Sequence, residues 1–134
     1  RSTQELAEAA GISTSPAWRR VKRLEDAGII TGQVALLDAR ILGLRASAYI
    51  QVTLTEHTAA TVAQFDAFVR GQERVLECAR ITGNADYLIR VVAKDAEDLE
   101  DFLMHALPAT GIVRATTTSF VLRQIKATTE LPLG

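Results

Sequence analysis

The spacing of hydrophobic residues along the chain changes at about residue 45. Over residues 46–55, apolar and polar residues alternate, which predicts a half-buried β-strand. Over residues 58–71, apolar residues recur three and four positions apart and a glycine follows, which predicts an amphipathic helix with a glycine stop. The elements predicted further along are two strands over 75–82 and 86–93, a helix over 95–107 and a last strand over 112–126.

The predicted order is β-α-β-β-α-β, with two similar halves, and this order is typical of a ferredoxin-like domain. The second and third strands are joined by the tight loop Gly83-Asn84-Ala85, as in a β-hairpin. We therefore predict a ferredoxin-like domain over residues 46–134, preceded by a linker over residues 39–45.

The first 38 residues follow a helical pattern instead. Residues 4–10 predict a short helix, Gly11 a turn, and Ser15-Pro16 the start of a longer helix that ends at Gly28. Proline suits the first turn of a helix, and the serine can cap it. Two helices joined by a glycine turn predict a helix-turn-helix, whose second helix enters the major groove of DNA. The short apolar run over 33–37 is a candidate wing strand. The predicted fold class is α+β: a partial winged helix-turn-helix followed by the ferredoxin-like domain.

Positive charge is concentrated on this second helix, although the net charge of the whole chain is −1. Residues 16–24 carry four basic side chains and no acidic one. A solvated helix face paired with Glu25 and Asp26 would also explain them, but the glycine turn and the helix start favour contact with DNA phosphates. Trp18 is as well suited to packing against a neighbouring element. The candidate DNA-binding residues are Ser13, Ser15, Pro16, Trp18, Arg19, Arg20, Lys22 and Arg23.

Several other classes of site are disfavoured by the composition. The single cysteine, Cys78, excludes an intrachain disulfide and a cysteine-cluster metal site. His57 and His105 have no carboxylate or cysteine at metal-ligand spacing. No apolar run approaches the roughly 20 residues of a membrane span, and no signal peptide is visible. We expect a cytoplasmic protein with no membrane association, no catalytic residues, no metal site and no cofactor.

Four segments together resemble the Lrp/AsnC (feast/famine) transcription regulators: LAEAAGISTSPAWRRVKRLEDAGII, LLDARILGL, ITGNADYLIRV and GIVRATTTSFVLRQIK. They occur in the same order and spacing as in that family, between Gln4 and Lys126. The resemblance implies an N-terminal winged helix-turn-helix and a C-terminal effector domain. Family members also have a helix before the one at residues 4–10, so we expect this chain to be N-terminally incomplete, with the first helix of its DNA-binding domain missing.

The resemblance further implies homodimers formed through the C-terminal sheets, assembling to octamers, and a small amino acid bound near the loop after the second strand. A tight loop offers backbone N–H groups to a carboxylate, and Asp86 is suited to an ammonium group. The candidate effector-binding residues are Gly83, Asn84, Ala85, Asp86, Tyr87, Thr116 and Thr118. The candidates for the face of the sheet that needs a partner are Tyr49, Thr53, Thr116, Thr118 and Phe120.

The function predicted from the sequence is a sequence-specific regulator that binds double-stranded DNA and is controlled by a small effector, an amino acid. One alternative is an enzyme, because some proteins that resemble this family are tetrapyrrole decarboxylases. The basic helix and the lack of histidine in any predicted strand argue against that reading. The other alternative is an effector-binding assembly module that does not bind DNA.

Overall fold

The computed structural model describes residues 16–133, which belong to two compact units, one ending at Leu37 and the other beginning at Asp38. The first unit contains helix α1, Pro16–Asp26. The predicted helix over residues 4–10 and the predicted DNA-binding residues Ser13 and Ser15 lie outside the described residues.

Helix α1 ends as the sequence predicts, at a glycine with a left-handed backbone. Gly28 has φ +77°. Its N–H donates to the carbonyl of Glu25 at 3.0 Å, and the N–H of Ile29 donates to the carbonyl of Leu24 at 2.9 Å. These two bonds form a Schellman motif, which requires the left-handed conformation that glycine adopts without a Cβ penalty.

The prediction of a wing strand over residues 33–37 is wrong, because this segment forms no strand in the structure. A strand needs a second backbone opposite it, and the described part of the first unit contains no other strand. The chain then makes a turn at the start of the second unit. One oxygen of Asp38 accepts from the N–H groups of Arg40 and Ile41 at 3.0 and 3.2 Å, and Gly43 has φ +88°.

The second unit is a four-stranded antiparallel sheet with two α-helices, and it confirms the predicted ferredoxin-like class. Its strand order is β2-β3-β1-β4. The central strands β1 and β3 therefore come from the two halves of the motif. The elements are β1, Ala46–Leu54; α2, Ala59–Arg70; β2, Val75–Arg80; β3, Tyr87–Ala93; α3, Ala96–Asp101; and β4, Val113–Phe120.

Both helices begin at the side-chain caps that the chain supplies. Thr58 accepts a hydrogen bond from the N–H of Thr61 at 3.1 Å, and Asp95 accepts one from the N–H of Asp98 at 2.8 Å. Helix α3 then continues as a π-helical turn, Phe102–Ala106, so the predicted helix over 95–107 is regular only in its first part. No helix in residues 16–133 has the length and apolar character needed to cross a bilayer.

The core lies between the helical segments and one face of the sheet. The alternation predicted for β1 is confirmed, because Ala48, Ile50, Val52 and Leu54 are all buried. Phe65 of α2 is fully buried, and its ring centroid is 4.5 Å from that of Tyr87. These aromatic and branched side chains fix the position of α2 over the end of the sheet where β3 begins.

The last strand is shorter than predicted and ends at Phe120 rather than at residue 126. The N–H of Val121 donates to the carbonyl of Ser47 at 2.9 Å. Strand β1 begins only one residue before Ser47, at Ala46. Beyond Val121, β4 therefore has no neighbouring backbone in this sheet.

Part of the prediction for the outer face of the sheet is also wrong. In the β1–β4 ladder, Thr116, Thr118 and Phe120 lie opposite the buried residues Val52, Ile50 and Ala48. Directly opposed residues of an antiparallel pair share a face, so these three belong to the core side. Tyr49 and Thr53 do lie on the other face. The error arises because β4 is an edge strand with polar residues on both faces, so its alternation does not reveal its register.

Candidate functional site

Helix α1 separates a less exposed apolar side from an exposed basic side. Ala17, Val21 and Leu24 are partly buried. The four cations predicted to meet DNA are all exposed: Arg19, Arg20, Lys22 and Arg23. Because these four cations lie on one helix, they form a locally positive surface, although the net charge of the chain is −1.

The basic side of α1 also forms an open groove of about 580 Å³. Its lining residues are Pro16, Trp18, Arg19, Arg20, Lys22, Arg23 and Asp26. The Nζ of Lys22 lies 5.8 Å from the centre of the Trp18 ring and 4.0 Å from a carboxylate oxygen of Asp26. Both members of that ion pair are exposed, and such pairs are weak. Lys22 can therefore exchange Asp26 for a phosphate at little cost.

The second candidate site is the loop between β2 and β3. Gly83 has φ +110°, a conformation in which residues with a Cβ are strained. The N–H of Ile81 donates to the carbonyl of Asp86 at 3.1 Å, which closes the loop, and the N–H of Asp86 donates to the carbonyl of Val52 at 3.0 Å. Ala85 is buried, whereas Asn84 is exposed. The loop is thus tied to the central strand β1.

The carboxylate of Asp86 is the charged group of this loop, and two contacts hold it in place. Its Oδ2 accepts a hydrogen bond from the N–H of Leu54 at 2.8 Å and lies 2.9 Å from Nε2 of His57. The bond from Leu54 lowers the pKa of Asp86, burial opposes this effect, and His57 and Arg114 reinforce it. Asp86 is therefore ionised at neutral pH and offers a negative charge of fixed position.

A small cavity of about 120 Å³ opens beside this carboxylate. Its lining residues are His57, Val62, Arg80, Ile81, Asp86 and Tyr87. Burial raises the pKa of the Tyr87 hydroxyl, so this group stays a neutral donor or acceptor. The cavity thus combines an anion, a cation and apolar side chains within the space of a small molecule.

Sequence reasoning missed His57 and Arg80 as members of this site. His57 has no carboxylate at metal-ligand spacing in the sequence, and it lies far from Asp86 along the chain. Among residues 16–133, no group of three or more His, Cys, Asp or Glu side chains is suited to hold a metal ion. A histidine beside a predicted helix start gives no local signal that it meets a carboxylate on another loop.

The two predicted hydroxyl groups of β4 are not part of the cavity. Thr116 lies opposite Val52 and Thr118 opposite Ile50. Strand β1 separates β4 from β3, and neither threonine lines the cavity. Gly83 and Asn84 are close to the cavity through the loop itself, but they do not line it.

The chain matches two known protein families. Residues 47–131 match the Lrp/AsnC ligand binding domain, and residues 1–31 match a winged helix-turn-helix DNA-binding domain. Among curated proteins, it is 38% identical over 132 residues to the DNA-binding transcriptional activator DecR of Escherichia coli K12, covering 98% of this chain and 87% of that protein. It is also 38% identical over 122 residues to the leucine-responsive regulatory protein of Rhizobium meliloti, covering 91% and 78% of the two chains.

Solved structures show the same similarity over nearly the whole chain. A transcriptional regulator from Neisseria meningitidis, crystallised as a complex with L-methionine, has a TM-score of 0.84 and 37% identity, covering 99% of this chain and 86% of that one. A feast or famine regulatory protein from M. tuberculosis, also complexed with L-methionine, has a TM-score of 0.71 and 27% identity, covering 97% and 86%. The chain therefore belongs to the Lrp/AsnC family of transcriptional regulators.

Proposed function

We propose that this chain regulates transcription by binding DNA through α1 and by sensing a small amino acid at the Asp86 cavity. The observation that carries the proposal is the cluster of exposed cations on one helix, in a segment that matches a winged helix-turn-helix domain. We place the protein in the cytoplasm, where it would meet chromosomal DNA.

The basic side of α1 would lie in the major groove. Arginine and lysine bind phosphate oxygens, and they also reach the O6 and N7 acceptors of guanine, which gives sequence selectivity. A homodimer would present two such helices and would therefore read a palindromic site. The exposed cations Arg19 and Arg23 are one helical turn apart, so they can contact the same strand of DNA.

The Asp86 cavity suits an amino acid because it offers complementary charges. The ammonium group of the bound amino acid would pair with the Asp86 carboxylate. The carboxylate of the bound amino acid would meet Arg80 or the backbone N–H groups of the Gly83–Asn84 turn beside the cavity. Val62 and Ile81 would contact an apolar side chain. Two structural relatives are complexes with L-methionine, which supports this class of ligand.

We further propose that dimers assemble into octamers and that the effector acts on this assembly. Since neither Thr116 nor Thr118 lines the cavity of its own chain, we propose that contacts from these hydroxyls to a bound amino acid come from a neighbouring copy. An effector changes DNA binding only if it binds one assembly better than another. The effector would then change the affinity for DNA by the same factor by which DNA changes the affinity for the effector.

A non-catalytic role agrees with the named relatives, which are transcriptional regulators. The cavity holds His57 and Arg80, the residue types that a tetrapyrrole decarboxylase would use. Its volume of about 120 Å³ is nevertheless below the ~300–1,000 Å³ of pockets for drug-sized ligands. A tetrapyrrole is larger still, so the cavity favours an amino acid over that substrate.

Selection from a pool of randomised DNA duplexes tests the DNA-binding part. The wild-type chain should enrich a palindromic sequence, and a variant with alanine at Arg19, Lys22 and Arg23 should enrich none. Arg123→Ala, which removes an exposed cation of the second unit, is the matched control and should enrich the same sequence as wild type. Failure of the wild-type chain to enrich any sequence would contradict the proposal.

Thermal unfolding in the presence of each of the twenty amino acids tests the effector part. A ligand that binds only the folded state raises the melting temperature, by an amount that grows with the logarithm of the ratio of its concentration to its Kd. One or a few amino acids should do so for wild type and for the control Glu100→Gln, but not for Asp86→Asn. A shift that survives in Asp86→Asn would show that the amino acid binds elsewhere.

A further inference from the structure

His57 makes the more exchangeable of the two contacts to the Asp86 carboxylate. It lies between β1 and α2, and its Nε2 is 2.9 Å from the Oδ2 of Asp86 that also accepts from the backbone of Leu54. Leu54 is 1% exposed, so its N–H has no access to water as an alternative partner. The His57 side chain is 64% exposed and can return to solvent.

We propose that His57 sets the affinity of the amino-acid site: it holds the Asp86 carboxylate when the cavity is empty and is displaced by the ammonium group of the bound amino acid. This inference rests on the function proposed above for the cavity. It adds a residue of this chain that competes with the ligand rather than contacting it.

The exchange costs little free energy because the contact that is lost, from His57 to Asp86, is replaced by a similar contact from the ammonium group. Both His57 and the ammonium group donate to a carboxylate, so Asp86 keeps a hydrogen-bond donor in either state. An exposed ion pair is weak, and the released imidazole regains its water. Leu54 keeps its hydrogen bond throughout and holds the carboxylate in one orientation, so the site stays preorganised.

The charge of His57 makes this competition depend on pH. Histidine changes its charge between about pH 5 and 8, whereas arginine, tyrosine and carboxyl side chains ordinarily do not. The other charged or titratable groups around the pair are Glu56 beside His57, Asp66 of α2, Arg80 of β2, Tyr87 of β3 and Arg114 of β4. A protonated His57 binds Asp86 more strongly and repels an ammonium group, so amino-acid affinity should rise with pH.

Calorimetric titration of the full chain tests the inference. L-methionine is the first probe, followed by any of the other nineteen amino acids that raises the melting temperature. Between about pH 5.5 and 8, wild-type affinity should rise about two- to fivefold, the range expected for loss of an exposed ion pair. His57→Gln should bind at pH 5.5 about as tightly as wild type does at pH 8, and its affinity should be nearly independent of pH.

His105→Gln is the matched control. His105 is also exposed and pairs with an aspartate, its Nδ1 lying 3.3 Å from Asp101, but it does not line the cavity. This variant should keep the wild-type dependence on pH. In wild type, the NMR signals of the His57 ring should also move on ligand addition towards their positions in Asp86→Asn.

Two results would overturn the inference while leaving the proposed function intact. They are a His57→Gln chain that binds more weakly than wild type at every pH, and one that keeps the wild-type dependence on pH. If no amino acid binds the wild-type chain at any pH, the proposed effector function fails, and this inference fails with it. The wild-type titrations alone show whether the effector function fails, and the His57→Gln titrations show whether the inference about His57 fails. The two failures are therefore distinguishable.

Discussion

The backbone N–H of Leu54 donates to the side chain of Asp86, and this bond extends the β1–β3 ladder past its last backbone pair. That pair is Val52 with Tyr87. The N–H of Asp86 then donates to the carbonyl of Val52 at 3.0 Å, and its Oδ2 accepts from Leu54 at 2.8 Å. Asp86 thus satisfies a backbone group that β3 no longer reaches, and it carries the charge proposed to bind the effector.

This double role predicts different costs for two substitutions at position 86. Asp86→Ala leaves the N–H of the buried Leu54 without an acceptor, which costs about 1–3 kcal/mol of unfolding free energy. Asp86→Asn retains an oxygen that can accept the same bond, so it should lose less stability while losing the charge. Urea denaturation of the three chains measures the difference. Equal losses for the alanine and asparagine variants would show that the bond to Leu54 contributes little.

The same contact predicts how stability depends on acid. The pKa of Asp86 is lower in the folded chain, so its ionised form stabilises the fold. This contribution is complete above the ordinary aspartate pKa of about 3.9 and is lost as pH falls through the lower folded-state value.

The difference in unfolding free energy between wild type and Asp86→Asn should therefore be largest near pH 5 and shrink below about pH 4. Denaturant titrations at closely spaced pH values measure it. Glu100→Gln removes an exposed carboxylate of α3 and is the control. A difference that persists unchanged at low pH would mean that the charge of Asp86 does not stabilise the fold.

The basic face of α1 predicts a change in the salt dependence of DNA binding. Each phosphate contact adds about −0.9 to the slope of log affinity against log salt concentration. Arg19→Ala should weaken binding and make the slope less steep by about one. Fluorescence anisotropy with the selected duplex, over a range of salt concentrations, measures both.

Arg123→Ala should leave affinity and slope unchanged, because this exposed cation lies in the second unit, outside α1. If both arginine variants changed the slope equally, the effect would reflect overall charge. The α1 groove would then have no special role.

The end of α1 predicts unequal effects for alanine at two nearby glycines. Within residues 16–133, a Cβ added at Gly28 or Gly32 would meet no atom within 4 Å outside the adjacent residues, but only Gly28 has a positive φ, of +77°. Gly28→Ala should therefore cost about 1–2 kcal/mol through backbone strain alone. Gly32→Ala should be close to neutral. Thermal unfolding of the N-terminal unit, followed through Trp18 fluorescence, compares them; equal effects would contradict the role given to Gly28.

Much of the second unit could be predicted from local patterns. The alternation over residues 46–55 predicts β1, and the apolar spacing over 58–71 predicts α2, because each period reflects the geometry of one element. The cap at Asp95 and the turn at Gly83 are equally local. The resemblance to the Lrp/AsnC family predicts Asp86 as a site residue, and the tight loop before it agrees with that prediction.

The sequence by itself determined where the helices and strands of the second unit begin, and which face of α1 is basic, because these properties depend on neighbours along the backbone. Only the tertiary structure decided that β4 ends at Phe120, that Thr116 and Thr118 lie on the core side of the sheet, and that His57 meets Asp86. Each of these depends on which distant backbone or side chain lies opposite. The pattern of residues along the chain does not show which distant residues lie next to each other in the fold.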